Sequence, residues 1–323
     1  MAFFNKQTAV QSNQPWERSV LEKVALASIE EQRRARRWST FFKLLFIGYI
    51  VTISLIALSP MSGSHSPTSG SHTAVVDIRG IIMAGAEADA ERIIESMQNA
   101  VDDPNTKGLI IRLNTPGGSP VQSSYVYQAI RDIKTNHPEM PVYAVVEDLC
   151  ASGGYYIASA TDKIFVNESS IVGSIGVVMN GFGFTEAMKT LGIERRLYTA
   201  GSHKGFLDPF SKVNNDEKSH VQKMLNDIHQ EFIKAVKLGR GDRLKNNPDL
   251  FTGLVWAGSE SINLGLTDAI GNVKSVAKNE VGEENLVDFT AQQPLFERIA
   301  KSMGATMAEF ALHLSSVKSV NLF

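Results

Sequence analysis

The chain has 323 residues, 43% hydrophobic and 20% charged, with 25 glycines and 11 prolines, which excludes a disordered chain, a collagen and a low-complexity array. Its 32 Lys and Arg against 34 Asp and Glu leave a formal net charge of −2, so it lacks the excess of clustered cations that general nucleic-acid binding requires. The single cysteine, Cys150, excludes an intramolecular disulfide and a Cys-based zinc site. The length suits about two domains, or one domain with appendages.

Residues 16–38 read as a helix. Val20, Leu21, Val24, Leu26 and Ile29 are apolar, and Glu30 and Glu31 stand four and three residues before Arg34. Two readings stay open for this stretch: a helix lying on anionic lipid, or a solvated helix beside a membrane. From residue 44 to residue 76 there is no Asp, Glu, Lys or Arg, and 44–58 (LLFIGYIVTISLIAL) is almost wholly apolar. With Phe41, Phe42 and a snorkelling Lys43 the run reaches about 18 residues, just enough to span a ~30 Å hydrocarbon core. The expectation is a transmembrane helix over 38–59. A buried core helix is the rival, and it would normally keep a polar face.

Arg33, Arg34, Arg36, Arg37 and Lys43 precede the apolar run, and no cation follows before Arg79. The positive-inside rule then places residues 1–37 in the cytoplasm and the rest outside. About 40 residues precede the run, too many for the short n-region of a cleavable signal, so an uncleaved anchor is expected. In a bacterium this is a single-pass inner (cell) membrane protein with a periplasmic or extracellular domain. Residues 60–73 form a Ser/Gly/Pro/His linker. His65 and His72 there have no carboxylate nearby, and no metal site is expected.

The folded domain is expected over 74–290. Strands are read at 74–82 (AVVDIRGII), 108–113, 142–147 and 163–167, and helices at 87–101, 120–135 and 152–161. Alternation at this spacing gives βαβ units and a largely parallel sheet with helices on its faces. A long amphipathic helix follows over 214–238, with Val221, Met224, Leu225, Ile228, Phe232 and Val236 on its apolar face. Residues 291–323 form a separate tail with one more helix at 295–312.

Two glycine turns follow strands: Asn114-Thr115-Pro116-Gly117-Gly118-Ser119, and Ala151-Ser152-Gly153-Gly154-Tyr155-Tyr156. Neither matches GxGxxG or GxxxxGK[ST], so a nucleotide site is disfavoured. The alternative use is acyl transfer. Ser152 stands at a helix start, and N–H groups of Gly153 and of Gly117 or Gly118 could converge as an oxyanion hole. The plain alternative is that Ser152 merely caps the helix. The pattern is not the GxSxG elbow, because Leu149 and Ala151 stand in the wrong places.

A serine nucleophile needs a base. His137 lies beside a proline; His220, His229 and His313 fall on helix or tail surface. His203 alone lies in a glycine-bounded loop, and Lys204 follows it (AGSHKGFLDPF). Lysine serves as a general base where burial lowers its pKa from ~10.4. Spacing alone does not distinguish such a lysine from a surface one.

These segments resemble the signal peptide peptidase A (SppA) family, serine peptidases of the ClpP/crotonase superfamily. The resemblance rests on NTPGGSP at 114–120, ASGGYYIASATDKIFVN at 151–167, GSIGVVM at 173–179, AGSHKGFLDPF at 200–210 and FTGLVWAGSESINLGLTDAIG at 251–271, taken as a closing helix-turn-helix region. It covers about 215 residues and fits the short, single-domain form. It implies a ClpP/crotonase-like repeated ββα-type domain. It also implies Ser152 as nucleophile, Lys204 as general base 52 residues later, oxyanion donors from Gly117, Gly118 and Gly153, and Ser174 positioning the lysine amine. Cys150 is then a buried small hydrophobe rather than a second nucleophile. No metal or organic cofactor is implied. The implied substrates are remnant signal peptides or other apolar peptides in the membrane, and the implied assembly is a homo-oligomeric ring. An inactive membrane scaffold and a crotonase-like acyl-CoA enzyme are the alternatives, the latter opposed by the absence of CoA outside the cell.

Overall fold

In the computed structural model, residues 15–58 and 70–291 are described. Most of the expected linker and the helix expected at 295–312 lie outside them. The described residues fall into two units, 15–58 and 70–291. In the first, one helix, α1 (Pro15–Leu58), runs for 44 residues and joins the helices expected at 16–38 and 38–59. Among the described residues, no helix is long and apolar enough to cross a membrane.

The second unit alternates strand and helix: β1 (His72–Arg79), α2 (Ala90–Asp102), β2 (Thr106–Thr115), α3 (Pro120–Asn136), β3 (Val142–Ala151), α4 (Gly153–Ala158), β4 (Lys163–Val166) and β5 (Ile171–Gly173). Then come α5 (Thr185–Thr190), α6 (Asn215–Arg240), β6 (Val255–Ala257), α7 (Gly258–Asn263), β7 (Ala269–Ile270), α8 (Val273–Val276) and β8 (Leu286–Asp288). The strands form one sheet in the order β6-β5-β3-β2-β1-β8, parallel except for β5 with β6. After the first strand, the second strand of the expected ββα unit is reduced to bridges from Ile82 to Ala88 and Gly118. The stretch at 251–271 is not helix-turn-helix. It begins at the end of a 3₁₀ turn (Pro248–Phe251) and holds the short strands β6 and β7 with α7 between them. Its β-branched and aromatic residues pair with β5 and β4 instead of packing as helices.

Both faces of the sheet are covered, which is why its central strands read as continuous apolar runs. Val76, Ile78, Leu109, Ile111, Leu113, Ala144 and Val146 pack with α2 and α3 through Ile93, Met97, Val126 and Ile130. Ile110, Tyr143, Val145 and Phe165 pack on the other face with Val276 of α8. Beyond that second cluster lies an ionic network: Arg112 donates to Asp77 at 2.6 Å, and Arg79 joins Asp77 and Glu147 at 2.9 and 3.0 Å. The start of α3 agrees with the sequence reading: Pro120 occupies the first turn, and Ser119 caps it by accepting from the Gln122 N–H.

The branching of β3 positions the serine. One edge of β3 pairs with β2, while β4 takes Tyr143–Val145 on the other edge and β5 takes Leu149–Ala151. The chain therefore leaves the sheet at Ser152 beside the end of β5.

Helix α6 has two different halves. Its C-terminal half is anchored by buried Phe232, Ala235, Val236 and Arg240. The Arg240 guanidinium donates to both oxygens of Asp268, at 2.7 and 3.0 Å. Burial alone would raise the Asp268 carboxyl, but Arg240 outweighs it and holds the group below the usual carboxylate range. The N-terminal half is unsupported: from residue 176 to residue 231 no side chain is buried. Val221, Met224, Leu225 and Ile228, expected to face the core, are only half-buried. The body stops short of them, and Leu225 and Ile228 line an open cavity instead.

Candidate active site

Ser152 has φ 52° and ψ −121°, a left-handed conformation that costs a non-glycine residue about 1–3 kcal/mol. It is held there by backbone bonds: its N–H donates to the Gly173 carbonyl at 2.8 Å, and its carbonyl accepts from the Tyr156 N–H at 2.9 Å. The capping alternative fails. A capping serine sits in the β region with its oxygen on a first-turn N–H, and Ser152 makes no such bond. The backbone turns Ser152 out of the strand at the floor of a cavity of about 470 Å³, shared with Gly118, Gly153 and Ser174.

The three glycines differ. The Gly117 N–H is donated to Thr115 Oγ1 at 3.0 Å, so it is engaged already. Among the described residues, the Gly118 and Gly153 N–H groups have no acceptor. A Cβ at Gly118 would collide with the Ile82 carbonyl, and one at Gly153 with Ser123 Oγ while lying 3.2 Å from the Gly118 nitrogen. Glycine is thus needed at both positions for a close approach that brings two free donors beside Ser152. Ser174 also has a positive φ, 53°, and its N–H donates to the Leu254 carbonyl at 2.7 Å.

Lys204 is not brought to this cavity by its own chain. It is exposed in the loop 200–207, with its N–H on the Gly201 carbonyl. The neighbouring His203 pairs with Glu217 of α6 at 3.7 Å. Glu217 and His229 lie twelve residues apart on α6, about 18 Å at ~1.5 Å per residue. His229 lines the Ser152 cavity and Lys204 does not.

His229 is the residue that sequence reading missed. It was placed on helix surface, yet its Nε2 lies 3.0 Å from the Ile175 carbonyl. His203 lies beside Glu217, His220 of α6 packs edge-on against Phe206, and His313 lies outside the described residues. Cys150 is fully buried, and burial pushes its thiol well up, so it is no nucleophile. No group of three or more His, Cys, Asp or Glu able to hold a metal occurs among the described residues.

A strained serine at a strand–helix junction, facing two unengaged backbone donors, defines the unit as a serine hydrolase type of α/β domain. Residues 134–286, which include both Ser152 and Lys204, match the model for peptidase family S49. The chain is similar over 200 residues (28% identity) to a putative signal peptide peptidase SppA from Enterococcus faecium, covering 62% of this chain and 58% of that protein. It is 30% identical over 212 residues to protease 4 of Haemophilus influenzae, covering 62% and 32%. It is 41% identical over 215 residues to a Brucella abortus protein called Na(+)/H(+) antiporter NhaA, covering 65% and 29%. In each of these relatives the match spans less than two thirds of the length. The S49 match over 134–286 and the relatives named SppA and protease 4 support the SppA family of serine peptidases.

Proposed function

We propose that this chain is a membrane-anchored serine endopeptidase that cleaves remnant signal peptides or other apolar peptides with a Ser152–Lys204 dyad. The observation that carries the reading is Ser152 itself: strained, uncapped, and set beside the free N–H groups of Gly118 and Gly153. The cavity wall of Tyr156, Val177, Val178, Leu225, Ile228 and Phe232 suits apolar side chains.

The reaction is amide hydrolysis. The unprotonated Lys204 amine accepts the Ser152 proton and Oγ attacks the peptide carbonyl. The Gly118 and Gly153 N–H groups hold the oxyanion, and the lysine returns the proton to the leaving amine. Water, activated by the same amine, then releases the acyl group from Ser152. Ser174 positions the amine.

Because one chain keeps the two residues apart, the site is completed by a second copy. The segment 177–213 supports this. Val178, Phe182, Tyr198 and Val213 are each more than 80% exposed, far more apolar surface than a solitary arm keeps in water. The arm still has internal order: Phe184 stacks on Phe210 at 5.5 Å, and Arg195 pairs with Asp208 at 3.3 Å. We propose a ring with its axis roughly normal to the membrane and the serines facing a central cavity.

Replacing Lys204 by methionine keeps length and apolar packing but removes the amine. Turnover of an internally quenched apolar peptide is expected to be lost, with His203→Ala much milder. An inactive His203→Ala beside an active Lys204→Met would move the base to histidine.

Anchoring rests on the sequence: the arginines at 33–37 and the uncharged run at 44–76 place the N-terminus in the cytoplasm of a bacterial cell and the domain outside. Protease added to intact spheroplasts is expected to cut the linker at 59–72 and spare residues 1–37. Loss of 1–37 from outside would reverse the orientation.

A further inference from the structure

We infer that His229 is a positioning residue: its Nε2–H holds the Ile175 carbonyl and so fixes the turn 173–176 on which the serine site hangs. The inference rests on the reading of Ser152 as nucleophile and adds a residue to that machinery.

Three bonds suspend this turn. The Gly173 carbonyl accepts from the Ser152 N–H at 2.8 Å, the Ser174 N–H donates to the Leu254 carbonyl at 2.7 Å, and the Ile175 carbonyl lies 3.0 Å from His229 Nε2. The first bond ties the turn to the nucleophile and the second to the segment before β6. The third is its tie to α6, and it is made by a side chain. Gly173 (φ 118°) and Ser174 (φ 53°) are consecutive residues at positive φ, a pairing that persists only where surrounding contacts impose it. Loss of the third tie therefore lets the turn relax toward ordinary backbone, carrying Ser174 and the acceptor of the Ser152 N–H with it.

The chemistry of the contact fixes the ring state at one atom. A carbonyl oxygen only accepts, so Nε2 must carry the hydrogen in both the neutral and the charged imidazole. That nitrogen is not available to take a proton from Ser152. His229 thus lines the cavity with its Nε2 committed to the turn.

The test uses the full chain with three substitutions. His229→Gln keeps an N–H donor near the Nε2 position, His229→Phe keeps a ring without a donor, and His229→Glu keeps the length of Gln but presents only acceptors. The readouts are kcat and KM on a quenched apolar peptide, the labelling rate of Ser152 by a fluorophosphonate, thermal unfolding, and hydrogen exchange of residues 173–176. His229→Phe and His229→Glu are expected to lose kcat on the order of 100-fold, the scale of a small misplacement of reacting groups, with KM little changed. They should also label slowly and exchange faster at 173–176. His229→Gln is expected to keep most of the parent rate and the parent exchange. Glutamine as inactive as phenylalanine would make the imidazole itself necessary and overturn the inference, as would parent-like activity and exchange in all three. If His229→Phe does not unfold cooperatively, the Gln–Glu comparison decides. An active Ser152→Ala would sink the nucleophile reading instead, and the exchange data would still report whether His229 holds the turn.

Discussion

Ser152→Ala is expected to lower kcat/KM by about 10³-fold or more while leaving the fold intact, since a nucleophile's contribution is typically of that size. Activity within about 10-fold of the parent would remove Ser152 from the chemistry. The same position gives a second readout that needs no substrate. Alanine retains the cost of φ 52°, because its Cβ meets the same backbone, whereas glycine adopts that region freely. Ser152→Gly should therefore be inactive and yet more stable than Ser152→Ala by about 1 kcal/mol, the low end of the usual cost of such strain. For a domain of this size that corresponds to roughly 2–4 °C in Tm. A glycine variant no more stable than the alanine variant would mean the conformation is not strained, and the geometric argument for the serine would lose its footing.

The parts of the fold that rest on local rules were legible in the sequence. Pro120 after Ser119 marked the start of α3, and the apolar runs at 108–113 and 142–147 marked two central strands. Where local and distant preferences compete, the reading was less secure. Ser152 has the residue type of a cap, and only its φ, set by the bond from its N–H to Gly173, removes it from that role. The segment 251–271 has the composition of short helices, but two of its stretches find strand partners in β5 and β4. No local pattern announces those partners.

His229 was hidden differently. It stands four residues after Leu225, three before Phe232 and seven before Val236, in register with the apolar face of α6. A polar ring in that register is a signal of a buried partner, and the partner is a carbonyl 54 residues away in sequence. The choice between Gly117 and Gly118 likewise depended on where one N–H points. Thr115 Oγ1 takes the first and leaves the second free.

Two dead variants, Ser152→Ala and Lys204→Ala, are expected to regain activity when mixed under conditions that allow subunits to exchange. In each chain the loop of Lys204 meets α6 near Glu217 while the cavity at Ser152 is lined by α6 from Gln222 to Phe232, and no lysine lines the cavity among the described residues. On the proposed dyad, a working site would take Ser152 from one copy and Lys204 from another. In a mixed ring some interfaces pair an intact Ser152 with an intact Lys204, while others pair two damaged residues. With equal amounts and random exchange, about a quarter of the interfaces are intact, so recovery should approach a quarter of the parent rate, from a starting point near zero. The arm explains why exchange and activity are coupled. In the proposed ring a docked neighbour would cover its exposed Phe182, Tyr198 and Val213 and exclude water from the site. Tyr198→Lys, which places a charge on that surface, should lower both ring formation and turnover in an otherwise intact chain. If labelled subunits demonstrably exchange and no activity returns, both residues belong to one chain and the arm must fold back over its own cavity. A monomeric fragment 60–323 that cleaves peptides would refute the ring as well.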